Sequence, residues 1–125
     1  MKSLKLSFGV IHMISNTIAE VIVDEGVEIT KAMVDEYHES LIANFTAPFS
    51  VLVNKLHSYS YTFEAQKLIG TLPEINRLAI VDRTDLQELA TKVIASMHQD
   101  GSWNMKQFSD RERALNWLKQ LNEVA

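Results

Sequence analysis

The stretch "FSVLVNKLHSYSYTFEAQKLIG", residues 49–70, decides how the rest of the chain is read. Its first six residues form a compact apolar run of strand length, suited to a buried parallel strand. A short helix is expected from about Thr62 to Gly70, with Thr62 or Ser60 capping its first turn. A strand feeding a helix is half of a β-α-β unit. If the alternation continues on both sides, the sheet is largely parallel with right-handed crossovers.

Downstream the alternation continues. "NRLAIVD", residues 76–82, is a second buried strand. Thr84 opens "TDLQ", a Thr-x-x-Gln capping box in which hydroxyl and amide satisfy orphaned backbone donors. Leu86, Leu89, Ala90, Val93, Ile94 and Met97 follow at i, i+3, i+4, i+7, i+8 and i+11, which predicts a helix with this stripe facing the core, stopped near Gly101. "WNMKQF", residues 103–108, alternates as a half-exposed strand. Ser109 and Glu112 form a second capping box, opening a helix whose inner face is Ala114, Trp117, Leu118 and Leu121.

Upstream, "FGVIHMI" and "TIAEVIV" are apolar, β-branched stretches joined at Ser15 and Asn16, and they read as a hairpin. "DEGVEI" leads out through Gly26. Thr30 is a candidate cap for a helix to about Asn44, with Met33, Tyr37 and Leu41 on one side, Val34 and Phe45 nearby, and Pro48 closing the segment. Lys2 and Lys5 before "LSFGVIHMI" superficially resemble a secretory signal. His12 interrupts that run, no small-x-small cleavage site follows, and the run is too short to span a bilayer.

The expected fold is therefore one α/β domain over residues 1–125. It has a single mixed, mostly parallel sheet, an N-terminal β-hairpin and about four helices, in the order β-β-α-β-α-β-α-β-α. Composition agrees. Of 125 residues, 46% are apolar and 22% charged, a globular balance. The net charge is −4 and the cations are scattered, which argues against a nucleic-acid surface. The absence of cysteine removes disulfides and thiolate zinc sites, and a cytoplasmic location is expected.

Few residues suggest chemistry. His12, His38, His57 and His98 show none of the i, i+2 or i, i+4 spacing of a metal site. Asp24–Glu25 and Asp35–Glu36 are neighbours that do not share a helix face. Gly70 and Gly101 sit at helix ends and form no phosphate loop, and four glycines in all leave no nucleotide signature. No Gly-x-Ser-x-Gly elbow surrounds "HSYSY". Trp103 and Trp117 read as packing at the core or its edge. No catalytic residue, cofactor or metal is expected.

In an extended chain Ser58, Ser60 and Thr62 point one way, and Tyr59, Tyr61 and Phe63 the other. Capping explains the hydroxyls. The alternative is a contact or phosphorylation surface at Ser58, Ser60 and Thr62, with Asn54, Lys55, His57, Tyr59 and Tyr61 as neighbours, because a helix start after a parallel strand favours anions.

The element order, the ending "FSDRERALNWLKQL" and the run "FSVLVNK" followed by "LHSYS" together resemble the STAS-type fold. This is the fold of anti-sigma-factor antagonists and of small, little-characterised bacterial proteins described as STAS/SEC14-like. Some of the latter carry an Asn-Arg/Lys-x-x-Ser-Tyr-Ser pattern, whose positions here are Asn54, Lys55, Ser58, Tyr59 and Ser60. The resemblance covers most of the chain and implies a regulatory protein-interaction module. Phosphoregulated antagonists hold their Ser or Thr in an Asp-Ser-Ser/Thr-Gly pattern. This chain lacks that Asp and Gly and has Tyr61, Phe63 and Glu64 in the stretch.

Three functional classes follow, in this order. The first is a non-enzymatic interaction or regulatory module acting through a protein partner or as a homodimer, with sheet edges at the opening strand and "WNMKQF" available for pairing. The second is a binder of a small apolar or lipid-like molecule, implied by the SEC14-like side of the resemblance, with methionines 33, 97 and 105 as candidate lining. The third is a small enzyme, for which no converging set of groups is present.

Overall fold

The computed structural model describes residues 2–98 and 104–123, and side chains as far as residue 120. Strands β1 (Ser3–Leu6), β2 (Gly9–Ser15) and β3 (Ile18–Val23) are followed by the two-residue β4 (Glu28–Ile29) and helix α1 (Lys31–Asn44). Next come β5 (Phe49–Asn54), a second two-residue strand β6 (Ser60–Tyr61), α2 (Phe63–Leu68), β7 (Ile75–Val81), α3 (Asp85–Ser96), β8 (Met105–Phe108) and α4 (Arg111–Glu123). The fold is α/β, with a mostly parallel mixed sheet of six strands ordered β1-β2-β3-β5-β7-β8.

β1, β2 and β3 are antiparallel neighbours, while β3, β5, β7 and β8 run parallel. The expected hairpin of residues 8–23 is β2–β3. It is not the border of the sheet, because β1 pairs outside it, Ser3 opposite His12 and Leu6 opposite Gly9. The borders are β1 and β8. β4 and β6, a second addition to the expected order, form their own parallel pair. Gly9 is required at the start of β2: a Cβ there would collide with the Ile22 carbonyl oxygen and stand 3.0 Å from Val23 Cα.

The apolar runs of β5 and β7 are buried on both faces. Phe49, Val51, Leu78 and Ile80 join Val34, Tyr37 and Leu41 of α1 and Ala65 of α2 in one core. Leu52, Ala79 and Val81 face the other way, onto Ala114, Leu115 and Leu118 of α4. Trp117 lies half-buried at that second core's edge, 5.7 Å from Phe108 between ring centroids and 4.5 Å from the Arg77 guanidinium. Gly101, Trp103 and the side chain of Leu121 lie outside the described residues. Among the described residues no helix is long and apolar enough to cross a membrane.

Three expected caps are present: Thr30, Thr62 and Thr84 accept from the backbone N–H of Met33, Ala65 and Gln87 at 3.3, 3.2 and 3.1 Å. The Ser109 cap is not. α4 begins one residue later, and the Asp110 carboxylate accepts from Glu112 N–H at 3.4 Å while Ser109 is exposed.

α3 departs most from expectation. Leu86, Leu89 and Val93 are 76%, 60% and 52% exposed, and Ala90 and Met97 are exposed as well. The helix turns Thr91 and Ile94 inward instead. Ile94 of the expected stripe does face the core, but Leu86, Leu89, Ala90, Val93 and Met97 face solvent. The physical reason is a buried ion pair that needs a hydroxyl.

Candidate functional site

That pair is Lys55, which directly follows β5, with Asp82, which directly follows β7. In an open α/β sheet the carboxyl ends of parallel strands are where ligand sites form. Both residues are buried, with Lys55 Nζ 3.8 Å from Asp82 Oδ1. Thr91 of α3 stands between them. Lys55 Nζ donates to Thr91 Oγ1 at 2.7 Å, and Thr91 Oγ1 donates to Asp82 Oδ1 at 2.9 Å. Gln107 of β8 donates to Asp82 Oδ2 at 2.8 Å. A leucine at position 91 would leave both charges without this bridge, so α3 is oriented by polar demand and its leucines are turned away from the sheet. Burial pushes the Lys55 ammonium below its ordinary pKa, and the Asp82 charge opposes that shift.

Beside this cluster lies an apolar cavity of about 40 Å³, between the sheet and helices α1 and α3. Val53, Ile80 and Ile94 form part of its wall, with Tyr37, Tyr59 and Tyr61. The Tyr59 and Tyr61 rings meet edge to face with centroids 5.5 Å apart, and Tyr61 donates to Tyr59 Oη at 3.4 Å. Burial raises the pKa of all three phenols. Lys55 Nζ lies 5.8 Å from the Tyr59 ring centroid. The cavity's volume equals that of about three waters. Ordinary ligand pockets start at roughly 300 Å³.

A second polar cluster sits on the opposite face. Arg111 grips Glu20 with two hydrogen bonds, Asn54 Nδ2 donates to Glu20 Oε2 at 3.0 Å, and Arg83 donates to Asn54 Oδ1 at 2.9 Å. Burial raises the Glu20 pKa, but the Arg111 and Asn54 hydrogen bonds and the guanidinium charge outweigh it and hold the carboxyl below its ordinary value.

The expected site residues therefore divide. Ser58 and Ser60 point outward and are exposed, while Tyr59 and Tyr61 turn into the cavity. Thr62 spends its oxygen on the α2 cap. Phe63 does not pack down with the tyrosines; it is 63% exposed beneath Lys67, whose Nζ is 4.4 Å from the ring centroid. His57 is half-buried in the loop. Asn54 and Lys55 point to opposite faces of the sheet, as successive residues leaving a strand must. Lys55 is thus committed to Thr91 and Asp82, not to the start of α2.

Glu20, Asp82, Thr91 and Arg111 were not among the expected residues. Two carried a signal: a carboxylate in the middle of "TIAEVIV" and another ending "NRLAIVD" each require a buried partner. The polar groups at these strand ends are hydrogen-bonded to one another. Among the described residues no group of three His, Asp or Glu side chains is placed to hold a metal ion. No protein-family model, curated protein or solved structure matches the chain.

Proposed function

We propose that the protein is a non-enzymatic, STAS-like interaction or regulatory module of the cytoplasm. Its contact surface runs from the loop after β5 onto the outward face of α3. The observation that carries this reading is the exposed row Leu86, Leu89, Val93 and Met97 on one helix. A contiguous exposed apolar patch on a folded domain marks an interaction site far more often than isolated exposed leucines do. The loop and helix are joined, since Gln87 Nε2 donates to the Lys55 carbonyl at 3.3 Å and so holds Leu56, itself 52% exposed, close to the first turn of α3. Ser58 and Ser60 are the hydroxyls of this surface open to modification. The strand and loop residues 49–60 and the α4 segment that resemble the STAS group support the same class.

A photoreactive residue placed at position 89 tests this in the native host, with position 119 on α4 as the control. Adducts at 89 and none at 119 are expected. Equal or absent labelling at both positions overturns the reading.

The apolar cavity supports a second reading, a small apolar or lipid-like ligand. At about 40 Å³ the cavity must widen to admit such a ligand. Native mass spectrometry of protein from its own host separates the cases: retained small-molecule mass favours the ligand, added phosphate at Ser58 or Ser60 favours a switch, and the bare chain mass removes both.

A further inference from the structure

The geometry points to Lys55 as a covalent binding site: its amine condenses with a short aliphatic aldehyde admitted to the apolar cavity and holds it as an imine. The inference rests on the reading of the cavity as a ligand site and names the ligand's chemical class. Among the described residues Lys55 is the one buried lysine, and every other is exposed. It lines the cavity beside Thr91, where Val21, Val53, Ile80 and Ile94 supply apolar wall. An amine withdrawn from water into an apolar pocket is the usual setting of an imine-forming lysine.

Two observations select the ligand. Lys55 already faces Asp82, with Nζ 3.8 Å from Oδ1, so the pair carries no net charge. An anionic ligand finds no spare cation there and meets the carboxylate instead, whereas a neutral carbonyl uses the amine as a nucleophile. Size sets the second limit. At about 40 Å³ the cavity favours the shortest chains, and propanal leaves only its propyl chain there once its oxygen departs as water.

The step balances within the site. Lys55 Nζ donates to Thr91 Oγ1 at 2.7 Å, and Thr91 donates onward to Asp82 Oδ1 at 2.9 Å. A proton therefore leaves the ammonium along existing hydrogen bonds and arrives on the carboxylate. The freed lone pair forms the N–C bond while the carbonyl π pair moves to oxygen. A second nitrogen proton passes to that oxygen, giving a neutral carbinolamine. Asp82 returns its proton to the hydroxyl, which leaves as water as the C=N bond forms. Nothing is oxidised or reduced. The product is a protonated imine beside the Asp82 carboxylate, so neither buried charge is left alone.

The test treats the purified full chain with propanal and sodium cyanoborohydride near neutral pH. The hydride reduces the imine to a stable propylamine, and peptide mass spectrometry locates it. Circular dichroism confirms that the chain stays folded. Lys55 is expected to gain its propyl group at least about fivefold faster than the exposed Lys31, Lys92 and Lys119. Glyoxylate, a small aldehyde carrying a carboxylate, is expected to label the exposed lysines and spare Lys55. The pH profile adds a second readout. Burial holds the Lys55 ammonium below its ordinary pKa, so its labelling levels off at a lower pH than that of the exposed lysines. Lys55 labelled no faster than the exposed lysines, or equally well by glyoxylate, overturns the inference. If it fails in this way while protein from the host retains a small-molecule mass, the imine falls and the apolar-ligand reading stands. If the chain mass is bare as well, both fall.

Discussion

Arg111 holds Glu20 across 91 residues of chain, with Nε 2.8 Å from Oε2 and Nη2 2.7 Å from Oε1. This bidentate pair fastens the start of α4 to the middle of β3. A planar guanidinium matches a carboxylate in both distance and direction, and a lysine cannot reproduce that contact.

Arg111→Met is expected to destabilise the fold by about 2 kcal/mol. This is less than the cost of breaking a fully buried pair, because Arg111 keeps a third of its side chain exposed. Because the folded carboxyl titrates below its ordinary 4.5, the stabilisation is complete above that pH and is lost as pH falls through the folded value. Urea titrations from neutral to acid pH check this. Wild type should lose more stability on acidification than Arg111→Met does.

The orientation of α3 makes an unusual pair of expectations. Thr91→Val should cost about 1–3 kcal/mol, since Lys55 loses its 2.7 Å acceptor. Leu89→Ala, at a side chain 60% exposed, should change stability by no more than about 0.5 kcal/mol. A core-facing leucine stripe demands the reverse, with Leu89→Ala costing about 2–5 kcal/mol. Denaturant midpoints of the two variants decide between the orientations.

The helix caps give a third comparison. Thr84→Ala should cost about 1 kcal/mol, and Asp110→Ala somewhat less through its longer 3.4 Å contact. Ser109→Ala should be close to neutral, because Asp110 and not Ser109 faces the first turn of α4. Calorimetry of the three variants tests the helix starts directly.

All three tyrosines of the chain line one cavity. Their folded pKa values lie above the ordinary 10.0, so their contribution is complete below that pH and declines as alkali ionises the unfolded chain. Phenolate absorbance is therefore expected to rise in one step together with loss of the folded circular dichroism signal. A separate earlier step, with the fold intact, places at least one phenol in solvent.

The alternation of strand and helix was legible because β5 and β7 are continuous apolar runs, and two-sided burial leaves that pattern. β1 was harder to read: "SLKL" places a lysine among its apolar residues, and only its pairing with β2 makes it a strand. β4 and β6 are too short for any period. For α3 the spacing revealed an amphipathic helix, and the spacing was right. Periodicity gives the existence of an apolar face and says nothing of what covers it. The deciding information lay in Lys55, Asp82 and Thr91, distant in sequence and joined only by the fold. Glu20 and Arg111 are further apart still, and one carboxylate in an apolar strand was their only trace.

The miniature β4–β6 pair has a consequence for recognition. Gly26 N–H donates to the Ser58 carbonyl at 2.8 Å, Ser60 N–H to Val27 at 3.0 Å and Thr62 N–H to Ile29 at 2.9 Å. Residues 58–62 are thereby held as a short rail on the body of the protein. A partner that docks there meets a shape already set and bears little ordering cost. A free peptide of the same residues, which must first give up its conformational freedom, is a poor competitor.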